Sequence, residues 1–211
     1  MDLHEMIEQT RFLGRELLVW MWWKSDLFEG RMDVTGHGEC EVWIDDQITL
    51  EAAGAKVERS QLRGTSPAAS PEAREALRQG KVPTKARISI TLPGVARTSE
   101  TRGGKAERRT TRKDPDPVPE EREFGFVLHA ETLALSSVKT PALLQDEIEE
   151  RFYERMYLLE ELDSVLRALV AEFFRLRVSR NWDTEIAPAI RAWVRDEPGM
   201  TRQRYLALVG G

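Results

Sequence analysis

Phe152, Met156, Leu159, Leu162, Leu166, Leu169 and Phe173 recur at three- and four-residue steps. That spacing draws one apolar stripe down a helix face. Thr140-Pro141 is the predicted opening of this helix and Arg177 its end. Acids (Asp146, Glu147, Glu149, Glu150) crowd its first turns and Arg175 and Arg177 close it, as the helix dipole favours. At 1.5 Å per residue it would reach roughly 50 Å. Such a helix outruns a domain of this size, so a kink or a contact with another subunit is expected.

A second amphipathic helix is predicted from about 3 to 27, through Leu3, Met6, Ile7, Leu13, Leu17, Leu18 and Met21, closed by Gly30. It carries Trp20, Trp22 and Trp23, half of the six tryptophans. Aromatics at helical spacing belong to a core more often than to a base-stacking surface. Between the two helices the pattern turns to alternation. Val42, Ile44, Ile48 and Leu50 predict a hairpin over Gly38 to Ala52 with its turn at Asp45-Asp46. A short strand is expected through Lys56 to Leu62. Ser70-Pro71 and Gly80 bracket a short helix as N-cap, first helical residue and C′. Lys85 to Leu92 and residues 122–129 read as paired strands, with another stretch at Leu133 to Val138. A last helix is expected at about 183–196, bent or restarted at Pro188 and stopped by Pro198-Gly199. No internal repeat is visible. These elements predict an α+β fold, with a mainly antiparallel sheet packed against the Trp-rich N-terminal helix and the long C-terminal helix. One domain over 1–211 is expected.

The apolar content of 41% suffices for a sizeable core. One cysteine, Cys40, excludes an intrachain disulfide and a multi-cysteine zinc site. The acidic N-terminus does not resemble a signal peptide, and the apolar run Leu17 to Trp23 is too short to span a bilayer. A soluble, cytoplasmic protein without membrane contact is expected.

Motifs with catalytic meaning are incomplete. His4-Glu5-Met6-Ile7-Glu8 lacks the second histidine of the zinc-protease helix. His37 and Cys40 have ligand spacing but no further ligands beside them. Gly80-Lys81 and Gly104-Lys105 lack the earlier glycine and the following Ser or Thr of a phosphate loop. No G-x-S-x-G elbow occurs. No catalytic residue, metal ligand or cofactor is therefore assigned. Asp45-Asp46 fits a turn better than a magnesium site.

Charge is the more informative signal. The chain carries a net −5, yet Arg97, Arg102, Lys105, Arg108, Arg109, Arg112 and Lys113 face only Glu100 and Glu107 within 97–113. That stretch is +5 and leaves −10 for the remainder. It sits in a segment, 94–121, almost free of apolar residues, which reads as a disordered basic loop between two strands. Such a loop can neutralise phosphates, with affinity falling steeply with salt.

Five segments in order, RFLGRELLVWMWWKSD (11–26), VWIDDQITLE (42–51), LRGTSPAASPEAREALRQGKVPTKARI (62–88), FGFVLHAETLALSSVKTP (124–141) and FYERMYLLEELDSVLRALVAEFFRLR (152–177), resemble the C-terminal portion of the RdgC-like recombination-associated proteins. The resemblance covers about 11 to 196, and the family's N-terminal half is expected to be absent. It implies a nucleoid-associated, ring-forming homodimer that binds duplex DNA with little sequence preference and restrains a RecA-type recombinase. It also implies DNA contact at Lys81, Lys85 and Arg87, with the basic loop as a mobile arm. The alternatives are a dimerisation or protein-interaction module that does not touch DNA, and a metal-dependent nuclease using Asp45 and Asp46.

Overall fold

The structure, a computed structural model, describes residues 3–52, 59–63, 70–94 and 121–210, without the side chains of 3–12, 45 and 46. It is α+β, as the periodicities predict. Among the described residues the order is α1 (Leu3–Leu27), β1 (Arg31–Val34), β2 (Gly38–Ala52), β3 (Arg59–Arg63), α2 (Pro71–Arg78), β4 (Lys81–Leu92), β5 (Arg122–His129), β6 (Leu135–Lys139), α3 (Ile148–Arg177), a π-helical turn (Trp182–Ile186), α4 (Ala187–Val194) and α5 (Arg202–Val209).

The strands form one antiparallel sheet in the order β1-β2-β4-β5-β6, with β3 pairing the far half of β2. Alternation sorts its two faces. Val42, Ile44, Ile48, Leu50, Ala86, Ile88, Ile90, Phe124, Phe126 and Leu128 point inward and are buried. Trp43, Arg87, Ser89 and Val127 alternate with them and point outward.

Helix α1 lies between this inner face and the C-terminal helices. Leu17, Leu18 and every residue from Trp20 to Ser25 are buried, so the helix is covered on all sides along this stretch. Trp20 packs on Phe173 of α3, Trp22 on Trp193 of α4 and Trp23 on Tyr205 of α5. All three tryptophans are therefore core. Glu29 and Gly30 both take positive φ after the helix, and the Trp43 ring lies against Gly30 so closely that a Cβ there would stand 2.1 Å from it.

Three expectations are corrected. Gly38–Ala52 is not a hairpin with a turn at Asp45-Asp46 but one long strand. Ile44 pairs Ile88 and Ile48 pairs Ala86, so β2 spends two extra residues there as a bulge while β4 runs on. The bulge lets β1 pair the first half of β2 and β3 the second. The long helix begins at Ile148, not at Thr140; residues 140–147 are irregular and α3 is the shorter for it. A final helix, α5, follows Pro198-Gly199, capped by Thr201, whose hydroxyl accepts from the Arg204 N–H. The short helix α2 matches its punctuation, with the Ser70 hydroxyl accepting from Ala73 N–H and Gly80 at φ 81°.

Candidate nucleic-acid interface

The outward face of the sheet brings cations from separate strands together. Lys85 and Arg87 alternate outward on β4, and both are half-buried by their strand neighbours. The register places Trp43, Ser89, Gly125 and Lys139 in one line across β2, β4, β5 and β6. Gly125 lies beneath two of the cations. A Cβ there would lie 3.7 Å from Arg87 Nη2 and 3.9 Å from Lys139 Cβ, so the two cationic side chains share the space above the glycine. One row further along, Thr49, Lys85 and His129 pair across β2, β4 and β5. His129 Nε2 is 2.8 Å from Ser136 Oγ.

Lys85 and Lys139 have no hydrogen bond or ion pair among the described residues, whereas the flanking charges do. Arg31 Nε donates to Glu41 Oε1 at 3.2 Å, and Arg59 pairs with Glu51 at 3.6 Å. Glu41 and Glu123 stand either side of Thr91 and bound the cationic patch at that end. Trp43 is 43% exposed, the most exposed of the six tryptophans, and shows its free face beside the patch. The ensemble is three cations, an exposed indole and the Ser89 hydroxyl on a rigid sheet, while Thr49 is fully buried. Chemically it can hold phosphate oxygens and stack a base.

Lys81 does not share this face. Pro83 pairs Leu50 while Lys85 pairs Thr49, so β4 has an extra residue at Thr84. The bulge turns Lys81 to the side of Leu50 and Pro83, where its Nζ donates to Ser60 Oγ at 3.0 Å. Lys85 and Arg87 are thus brought together and Lys81 is separated from them. Arg97, Arg102, Lys105, Arg108, Arg109, Arg112 and Lys113 lie outside the described residues, as does all of the 94–121 loop except its flanks. Its two ends leave the sheet where Leu92 pairs Arg122, on the same ladder that carries Lys85 and Arg87. Sequence reasoning missed Lys139 and Trp43. Alternation along Val42–Ile44 already sends Trp43 outward, but nothing in the sequence alone sets the β5–β6 register that carries Lys139 over Gly125.

Other clusters are structural. Lys24, Glu172 and Tyr205 form a closed buried group, and burial lowers the Lys24 pKa while the Glu172 charge opposes that shift. Burial, with the Glu172 charge adding to it, holds the Tyr205 hydroxyl protonated far above its usual range. Among the described residues no three His, Cys, Asp or Glu side chains gather as a metal site, and the Asp45 and Asp46 side chains lie outside them. Among the described residues no helix is long and apolar enough to cross a membrane. No protein-family model, curated protein or solved structure matches the chain.

Proposed function

We propose that this protein binds nucleic acid non-enzymatically, by the phosphate backbone and without reading sequence. The observation that carries the reading is the convergence of Lys85, Arg87 and Lys139 on one open sheet face beside Trp43. Cations gathered on one sheet face attract a polyanion. The basic stretch 97–113 joins the same β4–β5 ladder and supplies further phosphate contacts. Among the described residues no basic helix is presented for the major groove, so base-specific readout is not part of the reading. The likeness of five sequence segments to RdgC-like recombination-associated proteins points to the same activity. On that likeness the protein is a homodimer at the nucleoid that restrains a RecA-type recombinase. Lys81 is assigned a local role on the other face.

The test is fluorescence anisotropy with labelled duplex and single-stranded DNA at two salt concentrations. It compares the full chain, a Lys85→Glu/Arg87→Glu/Lys139→Glu variant and a chain lacking 97–113. Binding that weakens with salt and falls in both variants supports the reading. Loss in the deletion alone moves the contact to the loop. No binding at low salt refutes DNA binding. Magnesium-dependent degradation of the probe refutes the non-enzymatic part.

A further inference from the structure

The apolar stripe of α3 has a partner along only part of its length. From Leu158 onward Leu162, Val165, Leu169, Phe173 and Leu176 are buried in the core. Before it, Ile148 is 89% and Phe152 60% exposed, and Tyr153, Met156 and Tyr157 are exposed as well. Ile148, Phe152 and Met156 adjoin the buried stripe, while Tyr153 and Tyr157 stand on the opposite side of the helix, and nothing among the described residues covers the first three.

That surface forms the wall of a built groove. The irregular strap before α3 is pinned at two points. Leu143 packs against the core, and the backbone N–H groups of Leu144 and Gln145 donate to the Glu154 carboxylate at 2.9 and 3.1 Å. Between strap and helix lies a groove of about 300 Å³ lined by Leu143, Ile148, Arg151, Phe152 and Arg155. Arg151 and Arg155 stand one helical turn apart, and neither has a side-chain hydrogen bond or ion pair among the described residues. The groove therefore offers an apolar floor with two uncommitted guanidinium groups along one wall.

We propose that this groove docks a partner-protein segment in which an apolar side chain is flanked by carboxylates. The apolar side chain fills the space between Leu143, Ile148 and Phe152. The flanking carboxylates take the forked N–H donors of Arg151 and Arg155, the pairing for which guanidinium geometry is suited. A second copy of the chain packed antiparallel fits the charge pattern less well. At about 100° per residue, Arg151 and Arg155 lie on one flank of the Ile148–Phe152 line, Glu149 lies on the other and Glu150 on the back of the helix. Two antiparallel copies would set arginines against arginines. This surface is separate from the sheet face proposed for nucleic acid, and neither proposal depends on the other.

The experiment is selection of a random twelve-residue phage-displayed peptide library on the full chain, then titration of the strongest synthetic peptide by fluorescence anisotropy. The expected consensus is one or two large apolar residues next to Asp or Glu. Titration should show affinity at least about tenfold weaker for Arg151→Glu/Arg155→Glu, the scale of one or two lost charge-assisted contacts. Phe152→Ser should weaken it as well. Both changes fall on the exposed first turns of α3, and circular dichroism of each variant checks that the fold is retained. A selection without enrichment, a consensus without acids, or peptides that bind the variants as tightly as the wild type would overturn the proposal. So would a dimer by sedimentation velocity that dissociates on Phe152→Asp, because a second copy would then own the face.

Discussion

Lys24 Nζ and Glu172 Oε2 meet inside the protein at 2.7 Å and tie α1 to α3 where Lys24 is only 2% exposed. Tyr205 donates its hydroxyl to the other Glu172 oxygen at 2.7 Å and brings in α5. The ammonium also lies 5.1 Å from the Trp20 ring and 5.6 Å from the Tyr205 ring. Two charges removed from water are tolerable here because each faces the other and both carboxylate oxygens are used. The network fixes how three helices distant in sequence dock together.

Removing one charge should therefore cost more than removing both. Lys24→Met leaves Glu172 buried with the Tyr205 hydroxyl alone, an expected loss of about 3–5 kcal/mol. Lys24→Met/Glu172→Gln removes the stranded charge and keeps an acceptor for Tyr205, so most of that loss should return. Urea unfolding of the two variants measures the difference. A double variant no more stable than the single one would show that packing of the lysine stem, not charge, governs the site.

Gly14 inverts the usual rule for a helix interior. Alanine there would ordinarily gain about 1 kcal/mol of helix propensity over glycine. Here a Cβ would fall 1.7 Å from the Ala130 carbonyl oxygen, in the turn after β5. Backbone cannot yield as a side-chain tip can, so α1 must move away from the sheet. Gly14→Ala should destabilise by about 1–3 kcal/mol, the range for overpacked sites. Thermal unfolding of this single variant checks it.

Burial, with a further push from the Asp33 charge, raises the Cys40 thiol from 9.0 to about 11. Between these values the unfolded chain loses a proton that the folded chain keeps. The thiol's contribution is thus fully present below pH 9 and is lost as pH rises through 11. At 1.36 kcal/mol per unit the loss approaches about 3 kcal/mol. Tyr205, raised likewise, acts in the same direction above its usual range, and Lys24, lowered, acts in the opposite one. Both remain in Cys40→Ala, so the gap between wild-type and variant unfolding free energies should narrow from pH 9 to 11. Parallel curves would remove the thiol from the account.

What could be read from sequence was what periodicity and punctuation encode. Leu3–Leu27 matches the expected helix because its apolar spacing and Gly30 mark both ends. The β4–β5 pairing followed from two alternating runs on either side of the basic stretch. The false hairpin arose because two aspartates are as good a signal for a bulge as for a turn. Only the partner strand, continuous through Ala86 and Ile88, decides between them. The α3 stripe misled in another way, since periodicity shows that Phe152 and Phe173 share a helix face but not that only Phe173 has something to pack on. The cationic face escaped for a related reason. Its members come from β4 and β6, and only the strand register across β5 joins them.

Trp43 gives a way to tell single strands from duplex at the sheet face. Its indole lies against Gly30 and leaves the residue 43% exposed, while Trp20, Trp22, Trp23 and Trp182 are buried and Trp193 is half-buried. An unpaired base can stack on that indole, and such contacts are worth about 1–3 kcal/mol each. A paired base in a duplex is already stacked and gains nothing there. Trp43→Leu should retain apolar cover over Gly30 yet weaken single-strand binding about 5- to 150-fold, with duplex affinity little changed. Tryptophan fluorescence should fall on adding a single strand to the wild type and stay constant in the variant. Equal losses for both DNA forms would make Trp43 a support for the neighbouring cations and leave phosphate contact as the only mode of binding at this face.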